Sequence, residues 1–245
     1  MNLLMKTILR LINYFFRIIN STENKFLSKF SNFIKFFILK NFYKQIKNVE
    51  TIKYIFDLNK IEGHARNDQL KSLREYAREK ESILEIGFNF GHSSENFLKH
   101  SNANVLSLDI GIHEYCKLSE IFLKRKYPNR FEILYGDSKE TVHEVAKSSN
   151  LYDLIYIDGG HKYEDAYQDI VNSKKISSEN TLIIVDDIEK TLNHQAEHNI
   201  GPTNAWNKLV EMKFIYEIDY IKFSPTRGMT LGKYNFDLNE NNNGN

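Results

Sequence analysis

The chain has 245 residues, 41% of them hydrophobic, with 33 Lys+Arg against 32 Asp+Glu and a single cysteine. That length suits one well-packed α/β domain with a short extra segment and does not comfortably hold two. A net charge of +1 gives no electrostatic footprint for nucleic acid, and the lone Cys116 excludes an internal disulfide and any cysteine-cluster metal site, so a buried thiol in a reducing, cytoplasmic compartment is expected.

The first fifty residues differ from the rest. Lys6, Arg10, Arg17, Lys25, Lys29, Lys35, Lys40, Lys44 and Lys47 face only Glu23 and Glu50. In "LLMKTILRLINYFFRII" and "FLSKFSNFIKFFILKNF" the apolar residues recur at helical intervals, and "STEN" between them supplies N-cap residues. Two amphipathic helices are expected, in a basic extension over residues 1–60. A charge every four or five residues is too costly for a membrane span, and no small-residue cleavage site follows. Two roles stay open: packing on the domain or on a second subunit of a homo-oligomer, or peripheral contact of residues 1–50 with an anionic membrane surface.

From residue 61 the pattern changes. "GHARNDQLKSLREYAREK" (63–80) reads as a charged amphipathic helix, after which short apolar strands alternate with helical stretches. The strands are "SILEIG", "NVLSLDI", "FEILYG", "LYDLIYID" and "TLIIVDD"; the helices fall at about 92–100, 113–127, 138–149 and 162–177. Near-continuous apolar strands separated by helices demand a mostly parallel sheet covered on both faces, a doubly wound Rossmann-like α/β fold. After a helix near 202–213, "FIYEIDYIKFS" and "GMTLGKY" form an antiparallel hairpin turning at "PTRG" and complete seven strands. The domain is expected to span 61–235, with the polar tail 236–245 disordered.

Ligands of such a sheet bind beyond the carboxyl ends of its strands. "ILEIGFNFGHSS" closes the first strand with Glu85, shapes a loop with Gly87 and Gly91 and opens a helix with Ser93 and Ser94, in a spacing E-x-G-x-x-x-G that is not the dinucleotide fingerprint. Asp109 ends the second strand, where it could accept both hydroxyls of a ribose. "YGDS" ends the third, bringing Asp137 and Ser138 within reach of an adenine. Asp158 ends the fourth strand in "DGGH", and Asp186 and Asp187 end the fifth. Parallel strands lie roughly 5 Å apart, so these three acids can converge, and a bound cation would resolve their repulsion. Oxygen-only ligands suit Mg²⁺ or Mn²⁺, with Ca²⁺ a further option, and His161 beside them could serve as general base.

These residues resemble the class I S-adenosylmethionine-dependent methyltransferases over roughly residues 62–235. The resemblance implies that Gly87, Gly91 and Ser93 line the methionine end of S-adenosylmethionine, that Glu85 binds its amino group directly or through water, that Asp109 holds its ribose, and that Asp137 and Ser138 hold its adenine. "IDGGHKYEDAYQDI", "LIIVDD" and "GPTNAW" are similar to the metal-dependent small-molecule and sugar O-methyltransferases that include macrolide-sugar enzymes. For those the resemblance implies metal ligation by Asp158, Asp186 and Asp187, base catalysis by His161 with Lys162 adjacent, and a small-molecule or sugar acceptor, with nucleic acid disfavoured. The competing expectation is a non-catalytic cofactor- or glycan-binding accessory protein tethered at a membrane surface. "EHNIGPTNAW" is expected to be a loop over the site. Trp206 could line a substrate pocket, packing of its helix onto the sheet being the favoured expectation; Arg227 could meet an anionic substrate, a solvated turn residue being favoured; and the pair His194 and His198 is expected to be surface polar groups.

Overall fold

The structure, a computed structural model, describes residues 65–237. The two amphipathic helices expected within residues 1–50 and most of the polar tail lie outside them. In chain order come α1 (Asn67–Ala77), β1 (Ser82–Ile86), α2 (His92–His100), β2 (Asn104–Asp109), α3 (Glu114–Lys126), β3 (Phe131–Tyr135), α4 (Ser138–Ala146), β4 (Leu154–Ile157), α5 (Tyr163–Ser173), β5 (Leu182–Val185), α6 (Glu197–Glu211), β6 (Ile215–Ser224) and β7 (Arg227–Tyr234). The seven strands lie in the order β3-β2-β1-β4-β5-β7-β6. β1 to β5 are parallel, and β7 runs antiparallel to both β5 and β6. The expected fold is therefore the observed one, with the hairpin turning at Pro225 and Thr226.

Strand alternation sorts the core into two layers. On one face Ile83, Val105, Tyr156 and Ile184 pack with Leu73 of α1, Phe97 of α2 and Leu123 of α3. On the other, Leu84, Leu108, Ile155 and Val185 pack with Val142 of α4, Ile170 of α5 and Leu209 of α6. Trp206 is fully buried in this second layer, its Nε1 donating to Glu217 Oε2 at 2.6 Å, so it packs α6 onto the sheet as expected. Cys116 is buried, and burial pushes its thiol up to about 12.

Several helix ends differ from the sequence expectation. The first helix runs only from 67 to 77, because the Gln69 side-chain oxygen accepts the Arg66 N–H at 3.1 Å and closes its first turn there. The helix expected over 162–177 ends at Ser173 and continues as a 3₁₀ turn over Lys174–Ile176. The loop expected at "EHNIGPTNAW" is instead the first ten residues of α6. Asn199 Oδ1 accepts the Ala196 N–H at 2.9 Å and starts the helix five residues ahead of the expected point, while Pro202 sits inside it and removes one backbone donor.

Gly201 explains why that helix can lie where it does. A Cβ there would stand 2.2 Å from the His161 carbonyl oxygen and 2.6 Å from the Tyr163 nitrogen, so α6 rests directly on the backbone that follows β4. Gly201→Ala should lower unfolding stability by about 1–3 kcal/mol, the usual range for overpacking. Urea titration checks this, and an unchanged midpoint would contradict the close approach.

Glu85, on the α2 side of β1, is wholly buried and accepts hydrogen bonds from the hydroxyls of Ser93, Ser94 and Ser107. Burial pushes its carboxyl from 4.5 up to about 7, against the pull of the three serines. Folding therefore favours the protonated form between those values, and this group's contribution to stability is full below about pH 4.5 and is lost as pH rises through about 7. The thermal midpoint of Glu85→Gln should fall less than that of the wild type between pH 5 and pH 8. Equal falls in the two proteins would refute the raised carboxyl.

Candidate active site

A cleft of about 330 Å³ opens at the carboxyl ends of β1 to β4, lined by Gly87, Asn89, Asp109, Asp137, Ser138, Asp158 and His161 among others. Gly87 has φ +97°, and a Cβ there would lie 1.9 Å from the Asp158 carbonyl oxygen, so only glycine lets the loops after β1 and β4 meet. Asp109 braces the loop from below, its carboxylate accepting the Asn89 N–H and the Gly111 N–H, each at 2.7 Å. Asp137 caps α4 by accepting the Lys139 N–H at 3.0 Å. Both carboxylates keep lone pairs for a ligand, since an ionised carboxylate offers about four acceptor positions.

Three further residues expected at the cofactor stand outside this lining. Glu85 and Ser93 are buried behind the cleft wall in the serine cluster, and Gly91 starts α2 against the ring of Phe88. None of the three lines the cleft. Its lining includes residues the sequence reading passed over. Asp169 of α5 is 1% exposed, accepts the Ser138 hydroxyl at 2.5 Å and is pushed up to about 7 by burial. Ile110 and Ile112 form an apolar wall although they are 64% and 71% exposed.

At the other end of the cleft stand the acids of β4 and β5. Ligand atoms of Asp158, His161 and Asp187 all lie within 4.8 Å of one another, and His161 Nε2 is 3.0 Å from Asp187 Oδ2. Asp187 has φ +54°, the left-handed conformation that aspartate tolerates better than most residues. Asp186 faces the α1 side of the sheet, as alternation from Ile184 requires. There its Oδ2 accepts from the Gln69 amide and, at 3.0 Å, from the Tyr156 hydroxyl. His161 thus takes the place expected for Asp186 in the tight group. A small recess of about 10 Å³, roughly one water in size, is bounded by Asp158, His161, Asp186, Asp187 and Pro202.

The electrostatics are those of crowded carboxylates. Burial, with Asp186 and Asp187 nearby, holds the Asp158 carboxyl well above the usual range. Burial and then Asp187 push Asp186 up to about 7, and the hydrogen bond to Asp187 raises His161. His198, expected at the surface, brings its Nε2 to 3.8 Å from Asp187 Oδ1, while His194 sits in a 3₁₀ turn beside Lys222 Nζ at 3.2 Å. Arg227 begins β7, half-buried rather than solvated, and its charge acts on both His161 and Asp186.

Residues 84–188 match the family described as a methyltransferase domain. A Staphylococcus aureus protein provisionally named a caffeoyl-CoA O-methyltransferase has a similar fold, with a TM-score of 0.61 and 16% identity, over 83% of this chain and all of its own. An O-methyltransferase from Bacillus cereus, solved with S-adenosylhomocysteine (SAH), gives 0.61 and 16% over 76% of this chain and 88% of its own. TomG from Streptomyces achromogenes, an O-methyltransferase of tomaymycin synthesis solved with S-adenosylmethionine (SAM), gives 0.58 and 16% over 70% and 81%. No curated protein matches the sequence. At these identities the structural likeness speaks for the fold, and the family match speaks for residues 84–188. Taken together with the strand order, they show a class I methyltransferase fold, within which residues 84–188 match a methyltransferase domain.

Proposed function

We propose that the domain transfers a methyl group from S-adenosylmethionine to a hydroxyl of a small molecule, a sugar being the class favoured by the sequence resemblance. The observation that carries the reading is the single cleft that joins Gly87, Asp109, Asp137 and Ser138 at one end to Asp158 and His161 at the other. The first end suits a nucleoside. Asp109 would accept from the ribose, Asp137 and Ser138 would meet the adenine edge, and Ile110 and Ile112 would be covered by its ring.

Two features fit a divalent cation at the second end. The recess is of single-ion size, and the buried Asp158 carboxyl is burdened by two neighbouring acids. Asp158 and Asp187 would hold the ion, with Asp186 behind them, and oxygen donors suit Mg²⁺ or Mn²⁺. Such an ion, when bound, lowers the pKa of an acceptor hydroxyl. His161 Nε2–H donates to Asp187, which leaves Nδ1 as the basic nitrogen of the neutral ring. In the reaction His161 takes the hydroxyl proton while the oxygen attacks the methyl carbon, the carbon–sulfur bond breaks and SAH is released. The remaining work of the protein is alignment, which alone can contribute about 7–11 kcal/mol.

Titration calorimetry with SAH should give clear binding, and with NAD none; the reverse result would sink the reading. Asp109→Ala should weaken SAH at least about tenfold, the worth of one charge-assisted hydrogen bond. His161→Ala should leave SAH affinity within about twofold and lower methyl transfer onto a responsive sugar or catechol by about 10²–10⁴-fold, as loss of a general base does. A variant that keeps full turnover would remove His161 from the chemistry.

A further inference from the structure

We propose that Gln69 and Tyr156 are positioning residues for the reaction centre: together they clamp Asp186 inward and brace Asp158, so that Asp158 and Asp187 are left to face the recess. The inference rests on the cation reading above and assigns roles to two residues that the reading does not use.

Gln69 comes from α1 and is 3% exposed. Its amide is fully engaged and can sit only one way round. Oε1 accepts the Arg66 N–H at 3.1 Å, so Nε2 must be the end that donates to Asp186 Oδ2 and, at 3.2 Å, to the Tyr156 hydroxyl oxygen. Tyr156, fully buried in β4, stands with its hydroxyl 3.0 Å from Asp186 Oδ2 and 3.2 Å from Asp158 Oδ2. One phenol oxygen thereby spaces two carboxylates that end neighbouring strands.

The surroundings show why these are not ordinary core choices. Tyr156 packs edge-on against Phe97, ring centroids 5.8 Å apart, and Leu73 and Ala77 fill the same layer. Phenylalanine would serve the packing at position 156 equally well, and a leucine would suit the buried side of α1 at position 69. Each polar group there has to recover the cost of its burial through a partner, and the partners are Asp158 and Asp186, two of the acids that bound the recess. The clamp is neutral on the protein side, so it fixes direction without cancelling the negative charge that a cation would meet.

The test is a Mn²⁺ titration followed by electron paramagnetic resonance with SAH present, in wild type, Tyr156→Phe and Gln69→Met. Both substitutions should weaken Mn²⁺ about tenfold and leave SAH affinity within about twofold, and combining Gln69→Met with Asp186→Asn should weaken Mn²⁺ no further than Asp186→Asn alone. A merely structural role would lower the thermal midpoint and SAH affinity and leave Mn²⁺ affinity unmoved, which overturns the proposal. Tyr156→Phe deletes only the hydroxyl, and Gln69→Met tests the same clamp should that variant fail to fold. If wild type binds SAH and no Mn²⁺, the cation reading falls and the clamp with it. If wild type binds Mn²⁺ and neither variant loses affinity, only the clamp falls.

Discussion

The constraint that organises this structure is carboxylate crowding at the tips of two adjacent parallel strands. β4 and β5 are paired in register from Leu154 with Leu182 to Ile157 with Val185, so the residues that follow, Asp158 and Asp186, emerge side by side. Burial alone would drive such acids toward the neutral form, and mutual repulsion drives them further in that direction. Every nearby element can be understood as part of the answer to that problem. Gln69 arrives from α1 and Tyr156 from β4, His161 follows β4, His198 comes from α6 and Arg227 from β7.

Packing decides which acid faces where. Side chains alternate along a strand, so Asp186 must share the face of Ile184, the side covered by α1, and it finds neutral donors there. Asp187 escapes the alternation because its backbone turns left-handed at φ +54°. It sits near His161 at 3.0 Å and His198 at 3.8 Å. The position of His161 depends in turn on α6, which Gly201 allows to press on the His161 carbonyl oxygen. A helix expected to be a loop is thus what backs the residue proposed as base.

The fold was legible because its signal is local and repeated. Apolar runs of strand length between helical stretches, each ending in an acid or glycine, lead to a doubly wound sheet without any knowledge of contacts. The strand tips were legible for the same reason, which is why Asp109, Asp137, Asp158 and His161 line the cleft. Long-range partnership was not. Glu85 occupies a strand-tip position like Asp109, yet Ser93, Ser94 and Ser107 take up its oxygens, and nothing in "ILEIG" announces that. The spacing of His198 from His194 carries no sign of its neighbour Asp187, which belongs to another element. Gly201 and Pro202 read as helix breakers because their spacing is a turn signal, and the close approach that calls for glycine is a tertiary fact. Gln69 read as one more polar residue on a charged helix, since its partners lie 87 and 117 positions away.

The distribution of charge around the acids has a direction. On the inner side, against the hydrophobic layer of α1 and α2, the partners are an amide and a phenol, both neutral. On the outer side, toward the cleft and the hairpin, they are two imidazoles and a guanidinium. A buried cation on the inner side would have to recover several kcal/mol of desolvation, whereas neutral donors orient the carboxylates at far lower cost. Groups on the outer side stay partly hydrated, and His161, 52% exposed, keeps the freedom to gain or lose a proton. Such an arrangement orients the acids from behind with neutral donors and keeps the basic groups on the cleft side. That is the polarity the proposed cation and acceptor hydroxyl would need on arriving from the cleft.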